Sequence, residues 1–287
     1  MTGPKWIDLH MHSTFSDGTA TPSQLVDLAR ATGTAAIALT DHDTADGVPE
    51  LLEAGRRKGI ETLAGIELSV ESPCGGSVHL LGYGIDPFFH PLREALDRVL
   101  RGREERNEKI VRRLQMLGVR LNMDEVRAVA GEDVVGRPHI AQILIEKGAV
   151  ETFEEAFDRY LARSGAAYYD RYRLDAQTAI GLLDAAGGLA VLAHPHLSHL
   201  DSMEEVEAVI RPLMDAGLRG LEAYYSEHTD EQTQMYLEVA AHFGLLATGG
   251  SDFHGLVRPG VMLGRGHGDL RVPYRHFERL KEAIEKK

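Results

Sequence analysis

The sequence predicts an α/β protein in which a helical insert interrupts a series of alternating strands and helices. Strand and helix signals alternate over residues 7–83 and again from residue 189 onward. This alternation favours a mainly parallel sheet, either open or closed into a barrel. The residues between show helical spacing alone, and histidines and carboxylates collect where the predicted strands end. The sequence therefore predicts an α/β domain with its functional groups on one face.

The N-terminal part contains four predicted strands, and its helices have recognisable ends. Thr21 and Pro22 are typical of an N-cap and a first helical residue, and Gly33 ends that helix. The predicted strands are 7–10, 35–40, 60–70 and 77–83, and a second helix covers 47–58. The apolar run at 35–40 indicates a buried strand.

Residues 88–173 form the predicted insert. Glu, Arg, Leu and Ala recur there at helical spacing, and no strand signal interrupts them. The predicted helices are 93–117, 123–130, 138–147 and 153–162. Residues 1–87 and 174–287 are assigned to the α/β domain.

The alternation resumes in the C-terminal part. Ser202 and Glu205 form a capping-box pattern at the start of a helix. The predicted strands are 189–193, 220–224 and 245–248, and the predicted helices are 202–216, 230–243 and 275–287. The chain therefore has about seven predicted strands.

Composition excludes several classes of protein. No apolar run is long enough for a membrane helix, and no secretory signal is visible, so we expect a cytoplasmic protein without a membrane partner. Cys74 is the single cysteine, which excludes an intrachain disulfide and a zinc site built from several thiolates. The net charge of −13 argues against binding an extended nucleic-acid duplex, but bound cations would still permit a phosphate substrate.

The predicted strand ends carry residues of metal-ligand type. His10 and His12 would project from the same face of a strand, with Met11 on the other face, but a short His-x-His is a weak pattern alone. The full set is His10, His12, Asp17, His42, Glu67, His79, His194, Asp252 and His254. Buried, hydrogen-bonded histidines and helix-capping aspartates are the alternative. Glu67 fits that alternative least, because a carboxylate inside the apolar run AGIELSV is costly unless it is paired or bound to metal.

The order and context of these residues resemble the PHP (polymerase and histidinol phosphatase) family. The motifs that carry the resemblance are His10-Met11-His12, Asp17-Gly18, Thr40-Asp41-His42, Gly65-Ile66-Glu67, His79, Ala193-His194-Pro195 and Gly250-Ser251-Asp252-Phe253-His254. The resemblance covers nearly the whole chain except the helical middle. It implies a distorted seven-stranded (β/α) barrel that holds three divalent metal ions.

The resemblance also implies how the ligands are shared. His10, His12, Glu67 and Asp252 would hold the first ion. Glu67, His79 and His194 would hold the second, with Glu67 bridging, and Asp17, His42 and His254 would hold the third. Nitrogen and oxygen ligands suit manganese, the ion we expect, and also iron or zinc. A hydroxide bridging two ions would attack a phosphate ester, and the ions would offset the charge that develops.

The insert points to a branch of the family. Gly136-Arg137-Pro138-His139, the position of the insert and Tyr168-Tyr169-Asp170-Arg171 resemble members that act on nucleotides with 3′ and 5′ phosphates and on short RNA from its 5′ end. By this resemblance Arg137 and His139 would hold the non-reacting phosphate, and the insert would be a lid over the active site. A surface arginine beside a helix start is the alternative for Arg137.

Three residues near strand ends complete the predicted site. His196 would touch the reacting phosphate or protonate the leaving oxygen, as the catalytic residue. Tyr225 and Ser226 would contact the substrate, although a tyrosine there could equally pack under a loop.

The expected function is hydrolysis of 3′,5′-nucleotide bisphosphates, with a nucleotide or short RNA as the partner. The alternatives are 5′→3′ exoribonuclease action on short oligonucleotides, histidinol phosphate hydrolysis, and a metal-binding module without turnover. Oligomeric state is left open.

Overall fold

The structure, a computed structural model, describes residues 4–130 and 135–287 and divides into two compact units. One unit comprises Met1–Glu94 and Leu174–Lys287, and the other comprises Ala95–Arg173. None of the helices in the described ranges combines the length and the apolar character that crossing a bilayer requires.

The first unit contains all the strands of the described chain, and helices separate most of them. The strands are β1 (Trp6–Asp8), β2 (Thr34–Leu39), β3 (Glu61–Glu71), β4 (Ser77–Tyr83), β5 (Leu174–Asp175), β6 (Leu189–Leu192), β7 (Gly220–Tyr225), β8 (Leu246–Gly250) and β9 (Val272–Pro273). The α-helices of the chain are α1 (Pro22–Thr32), α2 (Val48–Lys58), α3 (His90–Met116), α4 (Met123–Ala130), α5 (Arg137–Glu146), α6 (Phe153–Ala156), α7 (Ala176–Ala185), α8 (Met203–Asp215), α9 (Asp230–Phe243) and α10 (Arg275–Glu285).

Seven strands form a ring in the order β1-β2-β3-β4-β6-β7-β8. Neighbours in this path are parallel, except that β4 is antiparallel to both β3 and β6. The ring closes where the Leu9 N–H donates to the Gly249 carbonyl at 3.1 Å and Met11 bridges to Phe253. The two-residue strands β5 and β9 pair with β3 and β1 beside the ring. The expected distorted seven-stranded α/β barrel is therefore confirmed.

Closure brings the start of the chain against the end of β8. A Cβ atom on Gly250 would lie 2.3 Å from the backbone nitrogen of His10, so this approach requires glycine. Met11 is fully buried and packs with Leu25 of α1 and Leu51 of α2. The flanking imidazoles of His10 and His12, in the extended segment after β1, therefore project to the other side of the chain, as the alternation of side chains predicts.

The element boundaries follow the capping signals. Thr21 and Ser202 form capping boxes, and Gly33 ends α1 with a positive φ. The sequence did not predict α7, β5 or β9. Strands of two residues show no periodicity, and α7 (AQTAIGLLDA) is too uniformly apolar to show a clear amphipathic pattern.

The second unit contains helices and no strand within its described residues. Its core includes Ile110, Leu114, Val126, Ile140 and Leu144, which are all almost fully buried. A short π-helical turn, Phe157–Leu161, continues α6, where the sequence predicted one regular helix over 153–162. The unit therefore has its own hydrophobic core.

The buried side chain of His276 is expected to make the stability of the protein depend on pH. His276 lies in α10 and is 4% exposed. Its burial, and to a smaller extent the charge of Arg275, lowers the pKa of the imidazole from 6.5 to about 4. Between these pH values the unfolded chain binds the proton more readily than the folded protein. Stability from this residue is therefore present above pH 6.5 and is lost as the pH falls towards 4, by on the order of 2 kcal/mol.

The test compares unfolding free energies of the wild type and His276→Asn at pH 7 and pH 5. The variant is expected to lose less stability between the two pH values than the wild type does. His242→Asn, on the exposed side of α9, serves as the control and is expected to retain the wild-type dependence. Equal pH dependence in His276→Asn and the wild type would contradict the prediction.

Candidate metal centre

The predicted ligands lie together at one end of the barrel. Five of the strands that carry or precede them, β1, β2, β3, β6 and β8, are connected so that their carboxyl ends meet at one face. The residues brought together are His10, His12, Asp17, His42, Glu67, His79, His194, Asp252 and His254. Most of these side chains are buried, and only Asp17, His42 and His79 are partly exposed.

The Glu67 carboxylate lies at the centre of this cluster. Its Oε1 atom is 2.7 Å from Nδ1 of His79 and 2.9 Å from Nε2 of His194. Its Oε2 atom is 2.9 Å from Nδ1 of His42, 3.2 Å from Nε2 of His12 and 3.4 Å from Nε2 of His10. One carboxylate with imidazoles around both of its oxygens has the geometry of a bridging metal ligand.

Among the described residues there are three sets whose potential ligand atoms all lie within 4.8 Å of one another. They are His10 with His12, Glu67 and Asp252; His12 with Asp17, His42 and His254; and His42 with Glu67 and His79. The first set is the one that the resemblance implies for the first ion. The second set consists of the residues implied for the third ion, Asp17, His42 and His254, together with His12. In the remaining set His42 joins Glu67 and His79, whereas the sequence predicted His194 there.

The potential ligand atoms of the first set show whether these side chains are suited to binding a metal ion. His10 Nε2, His12 Nε2 and Glu67 Oε2 are buried and have no hydrogen-bond partner among the residues the structure describes. Three buried polar atoms that face one another without such partners are costly unless a cation lies among them. Imidazole nitrogens and carboxylate oxygens also suit first-row divalent ions. The residues therefore fit a divalent metal.

The charges of the cluster favour ionised carboxylates. Burial raises the pKa of Glu67, but His42, His79 and His10 more than offset this, and the pKa lies well below its usual range. Asp252 behaves in the same way, because burial is outweighed by His10 and by His254. The carboxylates are thus ready to bind cations at neutral pH.

Glu222 orients two of the predicted ligands and was missed by the sequence analysis. This fully buried carboxylate lies in β7, with Oε1 3.0 Å from Nδ1 of His10, and it accepts the backbone N–H of His194 at 2.8 Å. Such a contact holds the His10 ring so that Nε2 faces the cluster. The signal that singled out Glu67, a carboxylate inside an apolar run, is also present in GLEAYY and could have identified Glu222.

Two buried aspartates hold the loops that carry ligands. Asp8 accepts backbone N–H groups from Ser251 at 2.8 Å and Gly264 at 2.7 Å. Asp41 accepts the Ser13 backbone N–H at 2.7 Å.

Asp252 has a φ of 55°, a left-handed conformation that is strained for a residue other than glycine. The hydrogen bonds to Ser251 next to it hold the chain in that conformation.

The residues expected to bind substrate occupy varied positions. Tyr225 is 2% exposed, and its hydroxyl donates to Oδ2 of Asp252, a predicted metal ligand, at 2.9 Å. Ser226 donates to the Ser251 carbonyl at 2.6 Å. The side chain of His196 is partly exposed, and its Nδ1 lies 2.5 Å from Oδ1 of Asp201.

Arg137 and His139 lie at the start of α5 in the second unit. Arg137 Nη1 donates to the Leu161 carbonyl at 2.9 Å, and its guanidinium lies 5.7 Å from the centre of the Tyr168 ring. Nδ1 of His139 accepts the backbone N–H of Gly136 at 3.0 Å. When neutral, His139 therefore carries its proton on Nε2.

Several known proteins resemble this chain in sequence or in structure. The sequence profile of the PHP domain matches residues 8–258. The 3′,5′-nucleoside bisphosphate phosphatase of Chromobacterium violaceum is 35% identical over 249 residues, 86% of this chain and 87% of the relative. A 5′-3′ exoribonuclease of Haemophilus influenzae is 36% identical over 251 residues, 87% of this chain and 90% of the relative. An amidohydrolase from Chromobacterium violaceum, solved with sulfate and without metal, superposes with a TM-score of 0.82 at 33% identity and covers 97% of this chain and 96% of its own.

Proposed function

The chain belongs to the PHP family, and we propose from this premise that it is a metal-dependent phosphoesterase that hydrolyses 3′,5′-nucleotide bisphosphates. The observation that carries the proposal is the Glu67 carboxylate with five histidines around its two oxygens. The similarity to the bisphosphate phosphatase of Chromobacterium violaceum, over most of both chains, supports the choice of substrate.

We assign the ligands to three divalent ions, with manganese as the expected metal. His10, His12, Glu67 and Asp252 would hold the first, Glu67, His79 and His194 the second, and Asp17, His42 and His254 the third. When bound, such ions lower the pKa of water and withdraw charge from phosphoryl oxygens. The position of His42, near both Glu67 and Asp17, allows it to serve the second or the third ion.

His196 is the proposed proton donor to the leaving oxygen. Its Nδ1 faces Asp201, and Gln232 also donates to that carboxylate, at 2.9 Å. With Nδ1 directed to this carboxylate, Nε2 is the ring nitrogen that would donate the proton.

Arg137 and His139 are proposed to hold the phosphate that does not react. A guanidinium can bind two phosphate oxygens at once, and the N-terminus of α5 attracts anions.

Arg137→Ala is expected to reduce selectively the preference for bisphosphate over monophosphate nucleotides, by roughly 10- to 100-fold, since charged hydrogen bonds contribute about 1.5–3 kcal/mol. The measurement is the ratio of kcat/KM for the two substrates. Arg113→Ala is the matched control, because Arg113 in α3 also donates to a carbonyl of the same unit, that of Ala166 at 3.1 Å. An unchanged ratio in Arg137→Ala would exclude the assigned role.

A second activity, 5′→3′ hydrolysis of short RNA, is supported by the similarity to the Haemophilus influenzae exoribonuclease. The deciding experiment incubates the manganese-loaded protein with a 3′,5′-bisphosphate nucleotide and, separately, with a 5′-phosphorylated trinucleotide. Release of inorganic phosphate from the first supports the phosphatase, and release of mononucleotides from the second supports the exonuclease. The absence of both products would refute the phosphoesterase proposal.

A further inference from the structure

A cavity of about 320 Å³ opens beside the predicted ligands. The residues that line it, among those the structure describes, are His42, Glu67, Ser77, His79, His194, Leu197, Ser198, Asp252, His254 and Arg258. Arg258 is the one arginine or lysine in that lining, and no role has been assigned to it so far. We propose that Arg258 binds the phosphoryl group that is hydrolysed, an inference that rests on the proposed phosphoesterase function.

The guanidinium of Arg258 is held at the cavity by contacts on two sides. Its Nη1 atom contacts Oδ2 of Asp252 and donates to the Tyr225 hydroxyl at 3.2 Å, and Nη2 contacts Glu227. The side chain is 25% exposed. The contacts made by described residues use three of the five N–H donors of a guanidinium, so two remain for an anion.

The contact with Asp252 is compatible with metal binding by the same carboxylate. Oδ1 of Asp252 lies 3.0 Å from Nε2 of His12 and 3.5 Å from Nε2 of His10, so this oxygen faces the predicted first ion. Arg258 and Tyr225 contact the other oxygen, Oδ2. An ion held by Oδ1 therefore leaves Arg258 in place beside it.

The charge around the cavity explains why a phosphoryl group would need this arginine. Glu67 and Asp252 both line the cavity, so their carboxylates would balance part of the positive charge of bound ions. A phosphate monoester brings further negative charge. A fixed guanidinium offers two parallel N–H groups to phosphate oxygens, which the more flexible ammonium of lysine does not match.

The alternative is that Arg258 only positions Asp252. The two roles differ in what is lost with the arginine. A phosphoryl-binding residue affects the affinity for phosphate and leaves the metal bound, whereas a residue that only supports Asp252 affects the metal content first.

The experiment uses Arg258→Met, which removes the charge, and Arg258→Lys, which keeps it without the planar fork. Each manganese-loaded variant is titrated with inorganic phosphate by calorimetry, and the metal in the same sample is measured by elemental analysis. We expect Arg258→Met to raise the Kd for phosphate about 10- to 100-fold and Arg258→Lys to raise it less, both with wild-type metal content. KM for the bisphosphate nucleotide should rise in the same order.

The matched control is Arg211→Met, because Arg211 in α8 also pairs with a carboxylate, that of Glu207, but does not line the cavity. It is expected to bind phosphate like the wild type. A Kd in Arg258→Met within twofold of the wild type, or a loss of metal in both Arg258 variants, would overturn the proposal. Neither result depends on turnover, whereas a wild type that hydrolyses no phosphate ester would refute the proposed function itself.

Discussion

Glu67→Gln is expected to lose most of its bound metal and at least about 10³-fold in kcat/KM. An amide is neutral, and its nitrogen cannot bind an ion, so one oxygen would remain where two now face the histidines. Several kcal/mol of stabilisation by metal ions in the transition state correspond to a rate loss of that size.

The measurement combines elemental analysis with steady-state kinetics. Glu71→Gln is the matched control, because Glu71 lies in the same strand but is exposed, and it should retain wild-type metal content and turnover. Glu67→Gln with full metal content and normal rates would refute the assignment of Glu67 as the bridging ligand. A protein that loses metal yet keeps the thermal stability of the metal-free wild type would show that the effect is not misfolding.

The sequence predicts that these residues lie close together because most of them follow or lie in parallel strands, which bring their carboxyl ends to one face. His10 and His12 illustrate this, since their common face follows from strand geometry alone. Glu67 was identifiable because burial of a carboxylate in an apolar strand demands a compensating charge. Both inferences use local sequence and a general property of α/β sheets.

The residues around the ligands depend on contacts between distant segments, and local patterns contain no information about them. Glu222 lies 212 residues from the His10 ring that it orients. Arg258 lies in a segment without regular periodicity, and only the folded chain shows that it reaches Asp252 and Glu227. The sequence places Tyr225 just after a predicted strand, but only the folded chain shows that its hydroxyl is directed towards Asp252.

The position of His42 in two sets of candidate ligands could not be predicted from the sequence. His42 follows β2, and a parallel bridge to Glu67 sets its place between the first-strand histidines and β3. Its ring centre lies 4.4 Å from that of His12 and 5.4 Å from that of His79. Spacing in the sequence cannot fix such distances.

Asp17→Asn is expected to lose one metal ion per chain and nearly all turnover, while the ions near Glu67 stay bound. Oδ1 of Asp17 lies 3.2 Å from Nε2 of His254, and Oδ2 lies 3.8 Å from Nε2 of His42, at the edge of the cluster away from Glu67. Burial raises the pKa of Asp17, but the charges of His42 and His254 outweigh this and hold the pKa well below its usual range. The substitution removes that charge and leaves the first ligand set intact.

The loss of one ion from Asp17→Asn would distinguish a three-ion site from a two-ion site. Glu67→Gln should release the first and second ions, which Glu67 bridges, whereas Asp17→Asn should release only the third. Elemental analysis of the variant beside the wild type measures the difference, and His254→Ala should give the same stoichiometry and the same loss of rate. Asp27→Asn is the control, since Asp27 of α1 pairs with Lys58 at 2.7 Å on the surface. Unchanged metal content in Asp17→Asn, with normal rates, would show that Asp17 holds no ion, and its proposed role as a ligand of the third ion would have to be abandoned.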